Sequence, residues 1–377
     1  MRLFSDASAS VNDPLFRHAF VLAEKGRGAT SPNPMVGCVI VSDGQVVGEG
    51  FHEHAGGLHA EAVALAEAGE AARGATAYVT LEPCNHYGRT PPCAAALLSA
   101  GVARVMIGMP DPNPGVTGGG AEELRRGGVS VAFAEDPSPF EELNEAWLMH
   151  LRTGLPWVRV KLALTIDARA AMMSGLRSRI TGHGGAAITR RLRAASTAVA
   201  VGAATVDIDD PLLTVRDAAD ALAGRQPLRV VISRTSVPGV DHAVFSGDAE
   251  RVVLLTSDHT TRDALDAVTQ RGVRVVRYPY TEGITGALRA LAAEGVDDVL
   301  IEAGPGLASA LWSEGAIHEL FVVQAGGMAG NAAPPLYLGR ADAAGNDLAP
   351  RMRAVEAGVE GDDAVVVWRP FHEETAG

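Results

Sequence analysis

The chain has 377 residues, a length typical of two domains. Lysine and arginine total 32 against 45 aspartate and glutamate residues, and this net charge of −13 argues against a protein that binds DNA or RNA through a basic face. No apolar run is long enough to span a membrane, the first residues lack signal-peptide features, and three cysteines are an odd number for a disulfide scaffold. We therefore expect a cytoplasmic protein with reduced thiols.

The first part of the chain alternates between strand and helix patterns. We expect a flexible leader over residues 1–12 and a domain over 13–152, in which Asp13-Pro14 is typical of a helix start. Strands that alternate with helices predict a three-layer α/β/α arrangement. The predicted strands are 36–41, 45–50, 75–81, 102–108 and 129–133, and the predicted helices are 14–25, 59–69, 92–100, 118–126 and 137–152.

Two short motifs in this domain carry metal-binding residue types. His59-Ala60-Glu61 opens one predicted helix, and Pro83-Cys84 precedes a second helix that begins near Cys93. One imidazole and two thiolates suit a catalytic zinc, whose fourth position is open for water. The carboxylate of Glu61 is placed to move protons at that water, as in the H-x-E…P-C pattern of zinc-dependent deaminases. A structural zinc module is the alternative; it needs a fourth ligand, for which His86 is the nearest candidate.

A second domain is predicted over residues 157–372, after a boundary at Thr153-Gly154-Leu155-Pro156. Its strand and helix patterns again indicate an α/β fold. The predicted strands are 157–164, 198–201, 229–232, 251–255, 273–276, 298–302, one from 322 and 364–368, and the predicted helices are 184–194 and one that ends near 313.

A glycine-containing turn in this domain is a candidate phosphate site. Gly304-Pro305-Gly306 follows the strand that ends at Glu302 and opens a helix, so backbone N–H groups there could cradle a pyrophosphate. The motif alone is a weak signal, because glycine at a strand-to-helix turn is often only turn chemistry.

Longer segments resemble one family, the bifunctional deaminase/reductase of riboflavin biosynthesis. They are L-E-P-C-N-H-Y-G-R-T-P-P-C at 81–93, with eight residues between the cysteines, P-N-P-M-V-G-C-V at 32–39 and D-P-N-P at 111–114. The resemblance covers nearly the whole chain. It implies a cytidine-deaminase-like domain followed by a dihydrofolate-reductase-like domain, with Zn²⁺ and NADPH as cofactors. The implied reactions are deamination of 2,5-diamino-6-ribosylamino-4(3H)-pyrimidinone 5′-phosphate and NADPH-dependent reduction of the ribosyl group to ribityl.

The resemblance also implies roles for individual residues. Segments 203–216 and 299–305 are similar to the reductase segments of that family. The implied catalytic residues are Glu61, Lys161, Asp209 and Glu302; the metal ligands are His59, Cys84 and Cys93; the cofactor contacts are Ala163, Arg179, Thr205, Asp209, Gly304, Pro305, Gly306, Leu307, Ala308, Ser309 and Ala310; the substrate contacts are Asn33, Arg193, Leu213, Arg216 and Glu302.

Three places in the reductase half depart from the family pattern. Ala168 follows Asp167 where the family has glycine, Arg179 stands where it has tryptophan, and the loop at 325–330 differs. These departures leave open a paralogue that acts on a related pyrimidine with an altered or inactive reductase. An ordinary nucleobase deaminase with an unrelated appendage is a further alternative. We expect a small pyrimidine ribose phosphate as partner, no nucleic acid and no membrane, and allow for a homo-oligomer.

Overall fold

The computed structural model describes residues 2–86, 92–113, 119–173, 175–217, 219–333 and 351–371. The chain divides into two compact units, one up to Thr153 and one from Gly154. The domain bounds predicted above, 13–152 and 157–372, stay a prediction. Among the described residues, no helix combines the length and the apolar character that crossing a membrane requires.

The first unit is built on a five-stranded sheet with the strand order β2-β1-β3-β4-β5. Strand β1 runs antiparallel to β2 and β3, whereas β3, β4 and β5 are parallel. The strands are β1 Gly37–Ser42, β2 Gln45–Phe51, β3 Thr76–Val79, β4 Arg104–Ile107 and β5 Ser130–Phe133, and the helices are α1 Pro14–Glu24, α2 Ala60–Ala68, α3 Cys93–Ala100, α4 Gly120–Arg126, α5 Ser138–Leu143 and α6 Glu145–Thr153.

Helices cover this sheet on both faces, which confirms the three-layer prediction. One apolar cluster joins α2, α3 and α4 to the sheet through small side chains such as Ala64 and Ala94, together with Leu97. The other cluster joins α1, α5 and α6 through larger side chains such as Phe20 and Phe140. Two separate cores of this kind are what a sheet buried on both faces requires.

Two details of the first unit differ from the sequence prediction. Residues 1–12 do not form a flexible leader in their described part: a short 3₁₀ helix spans Ala7–Ser10, and Val11 is buried in the cluster around Phe20. The predicted helix over 137–152 is interrupted at Asn144. Its side-chain amide accepts a hydrogen bond from the Met35 N–H at 2.8 Å and donates one to the Met35 carbonyl at 3.0 Å, so the chain turns there to satisfy both groups.

The second unit is built on a nine-stranded sheet with the order β10-β9-β8-β7-β11-β6-β12-β14-β13. Strands β6 to β12 are all parallel, and β14 and β13 add an antiparallel edge. The strands are β6 Trp157–Leu164, β7 Ala198–Gly202, β8 Leu228–Ile232, β9 Val252–Ser257, β10 Arg274–Tyr278, β11 Asp298–Glu302, β12 Glu319–Gln324, β13 Met352–Glu360 and β14 Asp363–Pro370, and the helices are α7 His183–Ala194, α8 Ala203–Asp209, α9 Arg262–Gln270, α10 Gly283–Ala293 and α11 Pro305–Ser313.

Four elements of this unit are absent from the sequence prediction: α8, α9, α10 and β13. Helix α8 has only seven residues, and β13 is an edge strand whose residues are all partly or fully exposed, so neither has a strong apolar period. The core lies along the parallel strands, where residues such as Val160, Ala200 and Ile301 are fully buried. Their carboxyl ends share one edge of the sheet, which is where open α/β sheets bind ligands.

Candidate functional sites

Three side chains converge at helix starts in the first unit. His59 caps α2, Cys93 is the first residue of α3, and Cys84 lies in the loop that follows β3. The His59 Nδ1 atom lies 3.2 Å from the Cys93 sulfur and 3.6 Å from the Cys84 sulfur, and the three donor atoms lie within 4.8 Å of one another. Tetrahedral zinc with ordinary Zn–N and Zn–S bonds separates such atoms by about 3.5 Å. The donor set therefore fits a zinc ion, and His86 does not belong to the group that the described residues form.

Close packing of α2 on β2 sets the position of His59. A Cβ atom at Gly50 would lie 2.5 Å from the Ala60 carbonyl oxygen, and one at Gly48 would lie 2.2 Å from the Ala64 carbonyl oxygen. Only glycine lets the strand and helix backbones come this close. The two glycines thus bring the amino terminus of α2, with His59 and Glu61, down to the sheet.

Cys84 lies in surroundings that favour its thiolate. The Cys93 N–H donates to the Cys84 sulfur at 3.3 Å, at the amino terminus of α3. The contact with the Cys93 side chain, together with the hydrogen bond to His59, lowers the pKa of the Cys84 thiol to about 4. A thiolate is the form that binds a metal, so the local structure prepares this ligand.

Glu61 lies beside the metal ligands but is not one of the group that could hold the ion. Its side chain is in the first turn of α2 and only 3% of the residue is exposed. Burial raises the pKa of its carboxyl, and the negative charge of Cys84 adds to this effect. A buried carboxyl next to the ligands has the placement that proton transfer needs.

His52 is a neighbour of the site that the sequence analysis did not single out. Its Nδ1 lies 2.9 Å from the Leu58 carbonyl oxygen, so that nitrogen donates, and its Nε2 accepts from the Asn33 side-chain amide at 3.2 Å. The His52 ring also meets the His59 ring edge to face, with centroids 5.7 Å apart. Asn33, a predicted substrate contact, is therefore linked to the predicted ligand His59 through the His52 ring. The only sign of His52 in the sequence is that it lies seven residues before His59. Two histidines at such a distance are common and do not by themselves indicate a site.

Glu82, next to the Pro83-Cys84 turn, was also missed. Its carboxylate accepts hydrogen bonds from the Asp111 N–H at 3.2 Å and the Ala121 N–H at 2.9 Å. This brings the D-P-N-P segment against the cysteine loop. Residues 87–91 of the cysteine segment, and Pro114, lie outside the described residues.

The second unit contains a cavity of about 820 Å³ at the carboxyl ends of β6, β7 and β11. This is the edge at which parallel sheets bind ligands. It is lined by most of the predicted reductase residues, namely Lys161, Ala163, Arg179, Arg193, Thr205, Asp209, Arg216, Glu302, Gly304 and Pro305.

Arg193 and Glu302 form a two-pronged ion pair in this cavity, with N–O distances of 2.6 and 3.0 Å. Arg193 also donates to the Thr214 carbonyl oxygen at 3.0 Å. Burial works against the charge on Glu302, but Arg193 and Lys161 outweigh it and lower the pKa of this carboxyl. Burial lowers the pKa of Lys161, which lies opposite Glu302 in the strand pairing. These charges compensate one another within the protein.

Six predicted contacts of the reductase half do not line the cavity. Leu213 is fully buried, and its neighbours Leu212 and Thr214 line the cavity instead. Farther along α11 the chain turns away: Ala308 is buried in the core, and the Ser309 hydroxyl donates to the Pro305 carbonyl oxygen. The predicted contacts of α11 that do not line the cavity are Gly306, Leu307, Ala308, Ser309 and Ala310. A helix shows only one side to a ligand, and the contacts predicted along α11 stay a prediction.

The cavity offers groups that fit a dinucleotide phosphate. Helix α11 begins after Gly304, and α8 begins after Gly202 on the neighbouring strand. A Cβ atom at Gly304 would lie 3.1 Å from the Thr205 hydroxyl, so the two helix starts are close together. Their free N–H groups suit an anion, and Arg179 lines the same cavity.

The departure at Ala168 has a structural consequence. Ala168 has φ = 57°, the left-handed conformation that glycine adopts freely and that costs an L-residue about 1–2 kcal/mol. The side chain of Asp167 accepts hydrogen bonds from the Thr165 hydroxyl at 2.6 Å and from the Ala329 and Gly330 N–H groups at 3.0 and 2.7 Å. The three hydrogen bonds fix the Asp167 side chain and so stabilise the turn. The turn therefore keeps its conformation although alanine replaces glycine at position 168.

Comparisons with known proteins agree with both halves. Residues 10–109 match the cytidine and deoxycytidylate deaminase zinc-binding region, and residues 156–366 match the RibD C-terminal domain. The riboflavin biosynthesis protein RibD of Escherichia coli is 42% identical over 81% of this chain and 84% of its own length, and that of Haemophilus influenzae is 38% identical over 81% and 83%.

Solved structures give the same result. RibD of Acinetobacter baumannii is 37% identical, with a TM-score of 0.85 over 95% of this chain and 98% of its own. A diaminohydroxyphosphoribosylaminopyrimidine deaminase/5-amino-6-(5-phosphoribosylamino)uracil reductase of Thermotoga maritima is 32% identical, with a TM-score of 0.82 over the same shares. Both domains of these relatives are present here in one chain. The comparisons therefore do not favour the two alternatives, a nucleobase deaminase with an unrelated appendage and a paralogue with an altered or inactive reductase. The chain belongs to the RibD family of riboflavin biosynthesis deaminase/reductases, with a zinc-dependent deaminase domain and an NADPH-dependent reductase domain.

Proposed function

We propose that this chain deaminates 2,5-diamino-6-ribosylamino-4(3H)-pyrimidinone 5′-phosphate and then reduces the ribosyl group of the product to ribityl. The observation that supports this most directly is the presence of two distinct sites, one in each unit. The first unit has a three-ligand donor set beside a buried carboxyl, and the second has a charged cavity at the edge of a parallel sheet. The Thermotoga maritima relative, by its name, carries both activities.

In the deaminase site we assign the proton transfers to Glu61 and the metal to His59, Cys84 and Cys93. When bound, zinc lowers the pKa of a coordinated water to about 7. Glu61 would take a proton from water and deliver it to a ring nitrogen, and would then move the remaining proton of the added hydroxyl to the amino group, which leaves as ammonia. Its carboxyl is buried, and burial raises its pKa, which favours a group that takes up and releases protons. Asn33, fixed by His52, would hold the substrate.

In the reductase site we assign the chemistry around the sugar to Lys161, Asp209 and Glu302. NADPH supplies the two electrons for reduction at C1′, and the reaction takes up one proton. A lysine with a lowered pKa, or the protonated form of Asp209, whose pKa burial raises, can supply that proton to the ring oxygen. Glu302 would hold Arg193 in place. Arg216, next to Thr214, would bind the substrate phosphate.

The molecule that this chain binds is its substrate, a small pyrimidine phosphate. We further propose a cytoplasmic protein that binds neither nucleic acid nor membrane and that can form a homo-oligomer. A net charge of −13 disfavours polyanion binding. None of the three cysteines forms a disulfide, as a reducing compartment allows.

A two-step assay with purified protein tests the proposal. Addition of the diaminopyrimidine substrate should release ammonia, and NADPH should be oxidised only after this release, with a ribityl product. Ammonia release without NADPH oxidation would contradict the reductase assignment. NADPH oxidation with the undeaminated substrate would contradict the order of the two steps.

A further inference from the structure

Helix α7 begins without a capping side chain of its own. Its N-cap residue is Gly182, which has no side chain to cap the helix. A carboxylate from β14 takes this place: Asp363 accepts hydrogen bonds from the Gly182 N–H at 3.0 Å and from the Gly185 N–H at 2.8 Å. These are the N-cap and N3 donors, which a capping box satisfies from within a helix. Asp363 therefore supplies, from a distant part of the chain, the cap that α7 lacks.

The turn between β13 and β14 lies directly against the start of α7. A Cβ atom at Gly184 would lie 1.6 Å from the Glu360 carbonyl oxygen, so only glycine lets the two backbones approach this closely. Arg191 of α7 also forms an ion pair with Glu360. Asp363 itself is only 2% exposed. A buried carboxylate with two partners in one helix is a fixed anchor, because a shift of the helix would leave it buried without its hydrogen bonds.

The anchored segment forms part of the wall of the reductase cavity. Residues just before α7 and along its length line this cavity, namely Thr181, Gly182, Ala186, Thr189 and Arg193. Asp363 is not one of the lining residues. Its influence on the cavity therefore passes through the backbone of α7 and does not depend on contact with a ligand.

The strand register brings Asp363 to the same edge of the sheet as the cavity. Asp363 directly precedes Ala364, which pairs with Gln324 of β12. Gln324 pairs in turn with Leu164, the last residue of β6. The start of β14 thus lies beside the carboxyl ends of β12 and β6, where an open α/β sheet binds its ligands.

The charge of Asp363 also reaches the proposed chemical groups. Burial lowers the pKa of Lys161. Glu302 on β11 and Asp363 on β14 act against this shift, whereas Arg193 on α7 adds to it. The carboxylate that caps α7 is therefore close enough to the cavity for its charge to act on Lys161.

We propose that Asp363 is a positioning residue of the reductase site, which holds the amino terminus of α7 and thereby fixes the cavity wall around Thr181 and Gly182. The inference rests on the proposed reductase function. A misplacement of about 1 Å in a site can cost about 10²-fold in rate, even when the substituted residue lies away from the chemistry. A cap outside the cavity can for this reason determine how well the site works.

Reduction of the deaminated substrate by the full chain tests this role, at a temperature at which circular dichroism shows each variant to be folded. Asp363→Ala removes both hydrogen bonds, and kcat/KM for NADPH should fall by about 10–100-fold. Asp363→Asn keeps one acceptor oxygen and should recover part of the loss. If Asp363→Ala does not fold, Asp363→Asn carries the test. Ammonia release, which belongs to the other unit, should be unchanged in both variants.

Two controls separate positioning from stability. Asp362→Asn makes the same chemical change at the exposed neighbour and should keep wild-type kinetics. Val268→Ala removes buried volume from α9, outside the cavity lining, and should lower the urea midpoint while kcat/KM stays unchanged. Wild-type kinetics in folded Asp363→Ala would overturn the inference. An equal fall of kcat/KM in Val268→Ala would also overturn it, because the loss would then reflect stability alone.

NADPH binding separates this inference from the proposed function. Calorimetry on the full chain should show that Asp363→Ala binds NADPH about 10-fold more weakly than the wild type, since a loosened wall has to be ordered when the ligand binds. Asp362→Asn should bind NADPH as the wild type does. A wild-type chain that binds NADPH but forms no ribityl product would contradict the proposed reduction, and weaker binding in Asp363→Ala would still support the positioning role. Unchanged NADPH affinity in Asp363→Ala would count against that role.

Discussion

The two sites differ in how far apart their residues lie in the sequence. The metal ligands and Glu61 come from residues 59–93, and the donor atoms lie within 4.8 Å of one another. The reductase cavity draws its lining from Lys161 to Pro305, on three parallel strands and the segments that follow them. A local motif therefore specifies the first site almost completely. The second site exists only after the sheet has formed, because strand order decides which residues meet.

The two sites also differ in how they balance charge. In the first unit two sulfurs and an imidazole converge with no lysine or arginine in the group, and a metal ion is the natural counter-charge for their ligating form. In the second unit Arg193 and Glu302 already neutralise each other. Loss of a first-unit ligand should therefore cost metal, whereas loss of a second-unit charge should cost stability as well as activity.

The largest effect is expected for Cys84→Ser. This change removes a thiolate ligand, so the purified variant should lose most of its zinc and all measurable ammonia release, while NADPH oxidation with the deaminated substrate persists. Elemental analysis and the two half-reaction assays measure this. Cys38→Ala is the matched control, because Cys38 is a buried thiol of β1 outside the ligand group, and it should keep the metal. Full zinc content in Cys84→Ser would remove Cys84 from the ligand set.

A smaller effect is expected for Glu61→Gln. The amide keeps the shape of the side chain but cannot transfer protons, so deamination should fall by at least ~10²-fold with zinc and reductase activity retained. Glu67→Gln, on the same helix and exposed, should leave both activities unchanged. Zinc loss in Glu61→Gln would show that Glu61 helps to hold the metal, and an unchanged rate would exclude it as the proton carrier.

The sequence predicts local features of the fold well. It predicts β6 and β11 with the bounds that the structure has, since both are short β-branched runs that end at turn residues. It also predicts that the zinc ligands lie together, because the H-x-E and P-C motifs and the second cysteine occur in this order within one domain. It misses features that depend on distant contacts. The break at Asn144 depends on Met35, 109 residues away, and the Arg193–Glu302 pair joins residues equally far apart.

The next effect in size concerns that ion pair. Both side chains are 18% exposed, so Glu302→Gln leaves a largely buried Arg193 without its carboxylate. We expect the second unit to lose about 1–3 kcal/mol of unfolding free energy, together with reductase activity, while ammonia release is unchanged. Urea unfolding measures the loss, and Arg193→Met with Glu302→Gln should recover part of it if the two residues are coupled.

The exposed pair of Glu282 and Arg289 provides the control for this comparison. Glu282→Gln should cost less than about 1 kcal/mol, because exposed ion pairs contribute little. Equal losses in Glu302→Gln and Glu282→Gln would show that the cavity pair has no special structural role, and the contrast between the two sites would then be limited to their chemistry.

The smallest effect should be present at neutral pH and disappear in acid, at the turn that the reductase half builds without its glycine. The hydrogen bond from Thr165, followed by those from the Ala329 and Gly330 N–H groups, lowers the pKa of the Asp167 carboxyl to about 2. Because the folded-state pKa lies below the unfolded value of about 3.9, Asp167 stabilises the fold above that value, and the contribution is lost as the pH falls towards about 2. Asp167→Asn should therefore be less stable than the wild type at neutral pH, with a difference that shrinks over this interval. Urea unfolding at several pH values measures it, and Asp266→Asn, on the exposed side of α9, should show no such convergence. A difference for Asp167→Asn that is the same at every pH would mean that the carboxylate charge does not hold the loop at 329–330.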